Sequence, residues 1–421
     1  MNKRLSKKKS GDELRLERET RLMNAIRLKP NDRVPIACPV GYFPAKYTGI
    51  PFSSAYYDYK AWYNAVKVTL EIFQPDYIFI MGYSPGSILE ILEPKSERWP
   101  GYNLSPNSSH QVIEVDYLKS DEYDYWLQDP SDFMFRVFLP RTSDNLKGLS
   151  KFPRFWELAH GPVPYMVMAE AASNPETEKA LMTLVKAGRE IRKWRSRRMK
   201  FLKMISDIGY PQYTNGGALP PFDILSHSLR GMNGTTFDLF RQPDKVIEAC
   251  EFILKKTLEL PVPPPNEYGN LRYFMTVTRG SDDFLSKKQF EIFYLPTFKK
   301  ILNAFIAKGI TPCIFFEGNC NSRMEYLLDY PKGSILARLD NTDINLAYSI
   351  LKGHTCIEGG IPSSLLQMGS VQDVKDCCKK LIDTVGKDGG FIIGTRTATD
   401  QAKPENLKTM IEFSKEYGRY S

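Results

Sequence analysis

Four short runs in the last third of the chain share one design: PCIFFEGN (312–319), SILARLD (334–340), HTCIEGG (354–360) and GFIIGT (390–395). Each carries a β-forming apolar stretch that ends in a polar or glycine residue, the pattern of a strand buried on both faces. Amphipathic segments lie between them at 321–330, 343–352 and 370–386, and another follows at 404–417. Working back, RYFMTVTRG (272–280) and YTNGGA (213–218) read as strands, separated by helical stretches at 243–258 and 286–308. Alternation of strand and helix implies parallel strands joined by right-handed crossovers. RVPIAC (33–38) and DYIFIM (76–81) raise the strand number to about eight, so the expected fold is α/β, a (β/α)8 TIM barrel. An open doubly wound sheet is the alternative, but no GxGxxG turn supports a dinucleotide site.

The remainder is less regular. Residues 1–28 read as a basic N-terminal helix or arm, with helical spacing over 12–28 and a solvated charge pattern. Residues 29–421 read as a single barrel domain. The stretch 84–175, rich in Pro, Asp, Ser and aromatics, reads as a long insertion of loops and short helices. A long helix follows over 176–206, with Pro175 at its start and Glu176 and Glu178 in its first turn. Its Lys186–Lys203 segment is most simply a solvated face; the sharper reading is a dock for an acidic partner protein.

Composition bounds the function. The 421 residues are 42% hydrophobic and 25% charged, which suits a packed globular chain. No run approaches the ~20 apolar residues of a membrane helix, and the basic start lacks the apolar segment of a secretory signal. The seven Cys (38, 250, 313, 320, 356, 377, 378) form no CxxC pair, which fits a reducing cytoplasm rather than a disulfide scaffold. The sequons at Asn103, Asn107 and Asn233 are then chance matches. Net charge is +8, but aromatics are not interleaved with basic residues along one face, so nucleic acid is not an expected partner.

In a barrel of this class chemistry sits at the C-terminal ends of the strands. Those ends hold Arg279, Glu317, Asn319, Cys320, Asp340, Glu358 and Arg396. Glu317 closes an apolar run, where a carboxylate needs a partner or a task. It and Asp340 are the candidate catalytic acids or bases, though Asp340 and Asp343 also look like helix N-caps. Arg279, Asn319, Glu358 and Arg396, with Phe284, Phe290 and Tyr294 as walls, are the candidate substrate contacts. Glu317 and Cys320 are the candidate metal ligands. His354 and Cys356 lie at the start of a strand, at the wrong end for catalysis, and Cys377 and Cys378 face different ways on a helix.

The run Leu339-Asp340-Asn341-Thr342-Asp343, then CIEGGIPSSLLQMGSVQDVKDCCKKLID (356–383), GGFIIG (389–394) and KPENLKTMIEFSKEYGRY (403–420) resembles the uroporphyrinogen decarboxylase superfamily. The match is good over about 210–421 and faint over about 29–200. Phe284-Leu285-Ser286, Phe290 and Tyr294-Leu295-Pro296 fit that family's strand-to-helix junction. The resemblance implies a (β/α)8 barrel with its cleft at the strand C-termini and one of two chemistries: cofactor-free decarboxylation of a tetrapyrrole, or methyl transfer with corrinoid proteins, commonly zinc-assisted. The decarboxylases' Arg-rich segment corresponds to PVGYFPAKYTGIPF (39–52), which offers only Lys46 as a cation. Phe315-Phe316-Glu317 and Gly394-Thr395-Arg396 stand where the methyltransferases place zinc-binding His-x-Cys and Cys.

The expectation is therefore a divergent methyltransferase that moves a methyl group between a small, aromatic or methoxylated substrate and a corrinoid protein. Zinc or another divalent metal, held by Glu317 and Cys320, and a homodimer are left open. The alternatives are a cofactor-free decarboxylase or lyase acting on another carboxylated substrate, and a non-catalytic tetrapyrrole or corrinoid carrier.

Overall fold

A computed structural model of the chain describes residues 9–79, 85–161 and 163–420. Its framework is a set of parallel strands: β1 (Ala37–Pro39), β2 (Tyr77–Phe79), β3 (Gly216–Gly217), β4 (Arg272–Val277), β5 (Thr311–Phe316), β6 (Leu336–Leu339), β7 (Cys356–Ile361) and β8 (Phe391–Thr395). Strands β3 to β8 form one sheet in sequential order, and β1 pairs with β2. A parallel bridge between Ile36 and Ile393 joins the two groups. The spatial order is thus β2-β1-β8-β7-β6-β5-β4-β3. Among the described residues no ladder joins β2 to β3. Stacked rings stand at that seam instead: Tyr77 on Tyr213 with centroids 5.2 Å apart, and Phe79 on Phe274 at 5.0 Å.

The strands are short because their sequences switch quickly from apolar to turn-forming residues. YTNGGA keeps only Gly216–Gly217 in the ladder, since glycine gives a strand little to pack. The end of DYIFIM (residues 80 and 81) lies outside the described residues. The helices include α1 (Gly11–Ile26), α2 (Tyr59–Phe73), α3 (Pro175–Asp207), α4 (Pro243–Leu258), α5 (Leu295–Ala307), α6 (Ile344–Leu351), α7 (Val371–Leu381) and α8 (Pro404–Tyr417). Among the described residues no helix is long and apolar enough to cross a membrane. Before α5 the chain widens into a π-turn over Phe290–Tyr294. Pro296 lies just beyond it and has no N–H to give the preceding turn, which accounts for the break. The segment 85–161 forms short helices and a small antiparallel pair, Glu97–Arg98 with Gln111–Val112.

Alternation along the strands sorts the side chains into two sets. Outward residues such as Ile314, Ala337, Ile357 and Ile393 join the main core under the helices. Inward residues at the N-terminal end, Ala37, Tyr77, Tyr213, Cys313, Leu336, Cys356 and Ile392, form a second cluster with Leu22, Met23, Ala25 and Ile26 of α1. Helix α1 is therefore packed across the lower end of the sheet. This differs from the solvated arm its charges suggest, because those charges have distant partners. Glu19 meets Arg272 at 2.6 Å, both side chains wholly enclosed. It also accepts from the amides of Asn266 (2.9 Å) and Asn270 (2.7 Å). Arg21 pairs with Asp76 at 2.7 Å, and Arg33 holds the other oxygen of the same carboxylate at 2.6 Å.

Candidate active site

The C-terminal ends of β4, β5 and β6 bring the acidic candidates together. The ladder pairs Phe316 with Leu339, so the next residues, Glu317 and Asp340, are neighbours across adjacent strands. Gly318, whose φ of 76° needs no Cβ, turns its N–H onto Asp340 Oδ2 at 3.0 Å. Thr278 Oγ1 donates to Glu317 Oε2 at 2.7 Å. Burial raises the affinity of Asp340 for its proton. The Gly318 N–H and the charges of Arg396 and Arg338 oppose this, while the Glu317 charge adds to it. Asp340 thus has a raised pKa and stands beside the exposed Glu317. Asp340 does not cap a helix; Asp343 does, accepting from Asn345 N at 2.8 Å.

The cations are used differently from one another. Arg279 forms an ion pair with Glu114 from the insertion, and its guanidinium lies 5.2 Å from the ring of Phe284. Its own N–H binds Asp223 Oδ1 at 2.7 Å. Burial lowers the Arg279 pKa, and Glu317 acts the other way. Arg396 is half-buried and its charge reaches Asp340. The strand ends thus bring Arg279, Glu317, Asp340 and Arg396 into one electrostatic neighbourhood.

Four candidates are engaged otherwise than the sequence suggests. Phe290 and Tyr294 are 1% and 0% exposed and stack on each other in the core, so neither ring walls a cleft. Tyr294 instead donates to buried Asp223 Oδ2 at 2.6 Å. Burial pushes the Asp223 carboxyl up to about 6. Glu358 is also enclosed, three residues before the observed strand end at Ile361. Asn319 is taken up by turn geometry: its N–H binds Asp283 Oδ2 at 2.8 Å and its side-chain oxygen accepts from Asn321 N at 3.1 Å.

Glu317 and Cys320 do not combine into a metal site. The Cys320 thiol is buried and directed at the Glu317 carbonyl oxygen, 3.8 Å away, and burial drives its pKa up, away from the thiolate a metal needs. Among the described residues no group of three or more His, Cys, Asp or Glu side chains could hold a metal ion. The His354 imidazole meets its neighbour Thr355 (Nδ1 to Oγ1, 3.0 Å).

Below the carboxyl pair lies a row of residues of which the strand-end rule found only Glu358. Phe315, Arg338 and Glu358 are in register across β5, β6 and β7. The Arg338 guanidinium lies 4.7 Å from the Phe315 ring centroid, and its Nε is 3.5 Å from Glu358 Oε1. Glu358 Oε2 accepts from Tyr77 (2.6 Å) and Tyr213 (3.4 Å). Burial raises Glu358, and Arg338 and the two phenols pull it back. Phe79, Phe274 and Phe315 occupy inward positions of their strands yet are only partly buried. The signal in the sequence was Arg338 itself, a lone cation inside SILARLD at period two from Asp340.

A family model, uroporphyrinogen decarboxylase (URO-D), matches residues 201–417, just over half of the chain. The chain belongs to this family. The matched part begins near the end of α3, so the uroporphyrinogen decarboxylase family segment contains β3 to β8 and both catalytic candidates. Among solved structures the chain is similar to a methyltransferase from Methanosarcina mazei, with 13% identity and a TM-score of 0.58. The alignment covers 95% of this chain and 98% of that one; at this identity the likeness is one of fold. No curated protein matches the chain.

Proposed function

We propose that this member of the uroporphyrinogen decarboxylase family is a methyltransferase, and that its parallel strands close as a (β/α)8 TIM barrel with the active site at their C-terminal mouth. In this reading it moves a methyl group between a small aromatic or methoxylated substrate and a corrinoid held by a partner protein. The observation that carries the proposal is the Glu317–Asp340 pair above the inward positions of Phe79, Phe274 and Phe315. Demethylating an ether requires the leaving oxygen to gain a proton, and a carboxyl group raised by burial beside a second carboxylate is suited to give one. Asp340 donates the proton as the carbon–oxygen bond breaks, and its new charge is left beside Arg396. Glu317 is held in place by the Thr278 hydroxyl, which donates to its Oε2.

The corrinoid supplies the cobalt centre that takes or gives the methyl group. The rim suits a group arriving on another protein, since Glu317 is exposed and Arg396 half-buried. The donor set does not suit a resident zinc, so no step is assigned to one. Uroporphyrinogen is a poor substrate for this rim. Lys46, the one cation in the stretch matching the decarboxylases' Arg-rich segment, donates to the carbonyl (2.9 Å) and side chain (3.0 Å) of Gln401.

The test is turnover of aryl methyl ethers with reduced cobalamin, read as methylcobalamin formed. Wild-type protein is expected to form it, and Glu317→Gln to lose ~10²-fold or more. Release of carbon dioxide from a carboxylated substrate without cobalamin would favour the second reading, a cofactor-free carboxy-lyase, which the buried cation Arg338 also supports.

A further inference from the structure

Arg338 is 5% exposed, yet its guanidinium is not tied down. Its Nε has no hydrogen-bond partner, and among the described residues neither terminal nitrogen donates a hydrogen bond. A buried guanidinium normally has its donors matched, often in bidentate pairs, because leaving them unmade is costly. The neighbouring carboxylate does not do this: Glu358 Oε1 lies at 3.5 Å and its other oxygen is engaged by Tyr77 and Tyr213. The Phe315 ring covers one face of the guanidinium and leaves its edge free.

We infer that the terminal nitrogens of Arg338 bind a carboxylate of the substrate beside the inward rings of Phe79, Phe274 and Phe315, selecting a methoxylated aromatic acid over a neutral aromatic ether. The inference rests on the methyl-transfer reading for the role of the methoxy group. Arg338 and Asp340 point the same way along β6, two residues apart, a rise of ~6.6 Å. A carboxylate held on Arg338 would leave the remainder of the ligand on the side of the Glu317–Asp340 pair and the rim. Inward rings of Phe79, Phe274 and Phe315 offer the flanking surface that an aromatic ligand requires.

Equilibrium binding tests this without any partner or turnover. The purified chain is titrated with 4-methoxybenzoate and with its neutral analogue 4-methoxybenzamide. Wild-type protein is expected to bind the carboxylate at least tenfold more tightly. Arg338→Gln is expected to erase that preference, and Arg338→Lys to restore part of it. Equal binding of the two probes by the wild type, or no binding of the carboxylate, overturns the inference, as does an unchanged preference in a folded Arg338→Gln. Methylcobalamin formation from neutral ethers with an indifferent Arg338→Gln would sink the carboxylate site and leave methyl transfer standing. A carboxylate preference with no methyl transfer would do the reverse.

Discussion

Glu317 and Asp340 occupy matched positions at the ends of β5 and β6, one residue beyond the Phe316–Leu339 pair of the ladder. Their proximity raises Asp340, with burial as the larger cause. If Asp340 is the proton donor, turnover should fall as pH rises through its elevated pKa, because the acid form is lost there. Asp340→Asn is expected to cut turnover ~10²-fold or more and to remove that limb of the pH–rate profile. A variant with the same profile as the wild type would assign the limb to another group.

Asp223 offers a separate pH effect, on stability. Its carboxyl is buried and raised to about 6 from an unfolded value near 3.8. The folded chain therefore holds this proton where the unfolded chain has released it, and stability from this group is lost as pH rises from about 4 to 6. The two-unit shift corresponds to about 3 kcal/mol. Denaturation with urea at pH 4 and pH 6.5 should show a smaller difference in Asp223→Asn than in the wild type. An identical difference would show that Asp223 does not titrate in this window.

The Glu19–Arg272 pair anchors α1 to the lower end of β4. Burial alone would raise Glu19, but Arg272 and the amides of Asn266 and Asn270 hold its carboxyl below the ordinary value. Glu19→Ala leaves a buried guanidinium facing an empty space and should cost ~3–5 kcal/mol. Replacing both partners by leucine should cost less than that single change. Chemical denaturation measures both; a loss below 1 kcal/mol for Glu19→Ala would mean that α1 is not fixed by this pair.

Gly318 provides a backbone test of the site. At φ 76° an added Cβ would stand 2.8 Å from Asp283 Oδ2, and a left-handed alanine costs ~1–2 kcal/mol. Gly318→Ala is expected to shift the N–H away from Asp340, lowering turnover while the chain remains folded. Unchanged turnover would separate that hydrogen bond from catalysis.

The late strands were legible because each is apolar on both faces and ends in a glycine or carboxylate. Phe391–Thr395 and Cys356–Ile361 appear nearly where GFIIGT and HTCIEGG placed them. What escaped was every feature that depends on long-range pairing. The charges of α1 read as solvated because Arg272 and Asp76 lie far along the chain. Phe290 and Tyr294 read as cleft walls because their helical spacing does not say which side of the helix meets the core. Glu358 looked like a rim group because the strand runs further, through Gly359 and Gly360 to Ile361. Glu317 and Asp340 needed no such information, since a strand-end carboxylate on each of two successive parallel strands is brought together by the ladder alone.

In the proposed barrel, α1 seated under the strands stops the lower end, so whatever enters at the mouth must leave through the same doorway. A protein large enough to cover the rim would shut that doorway while it is docked. Small molecules must then arrive before such a visitor and depart after it, which imposes a compulsory order on turnover without any moving gate.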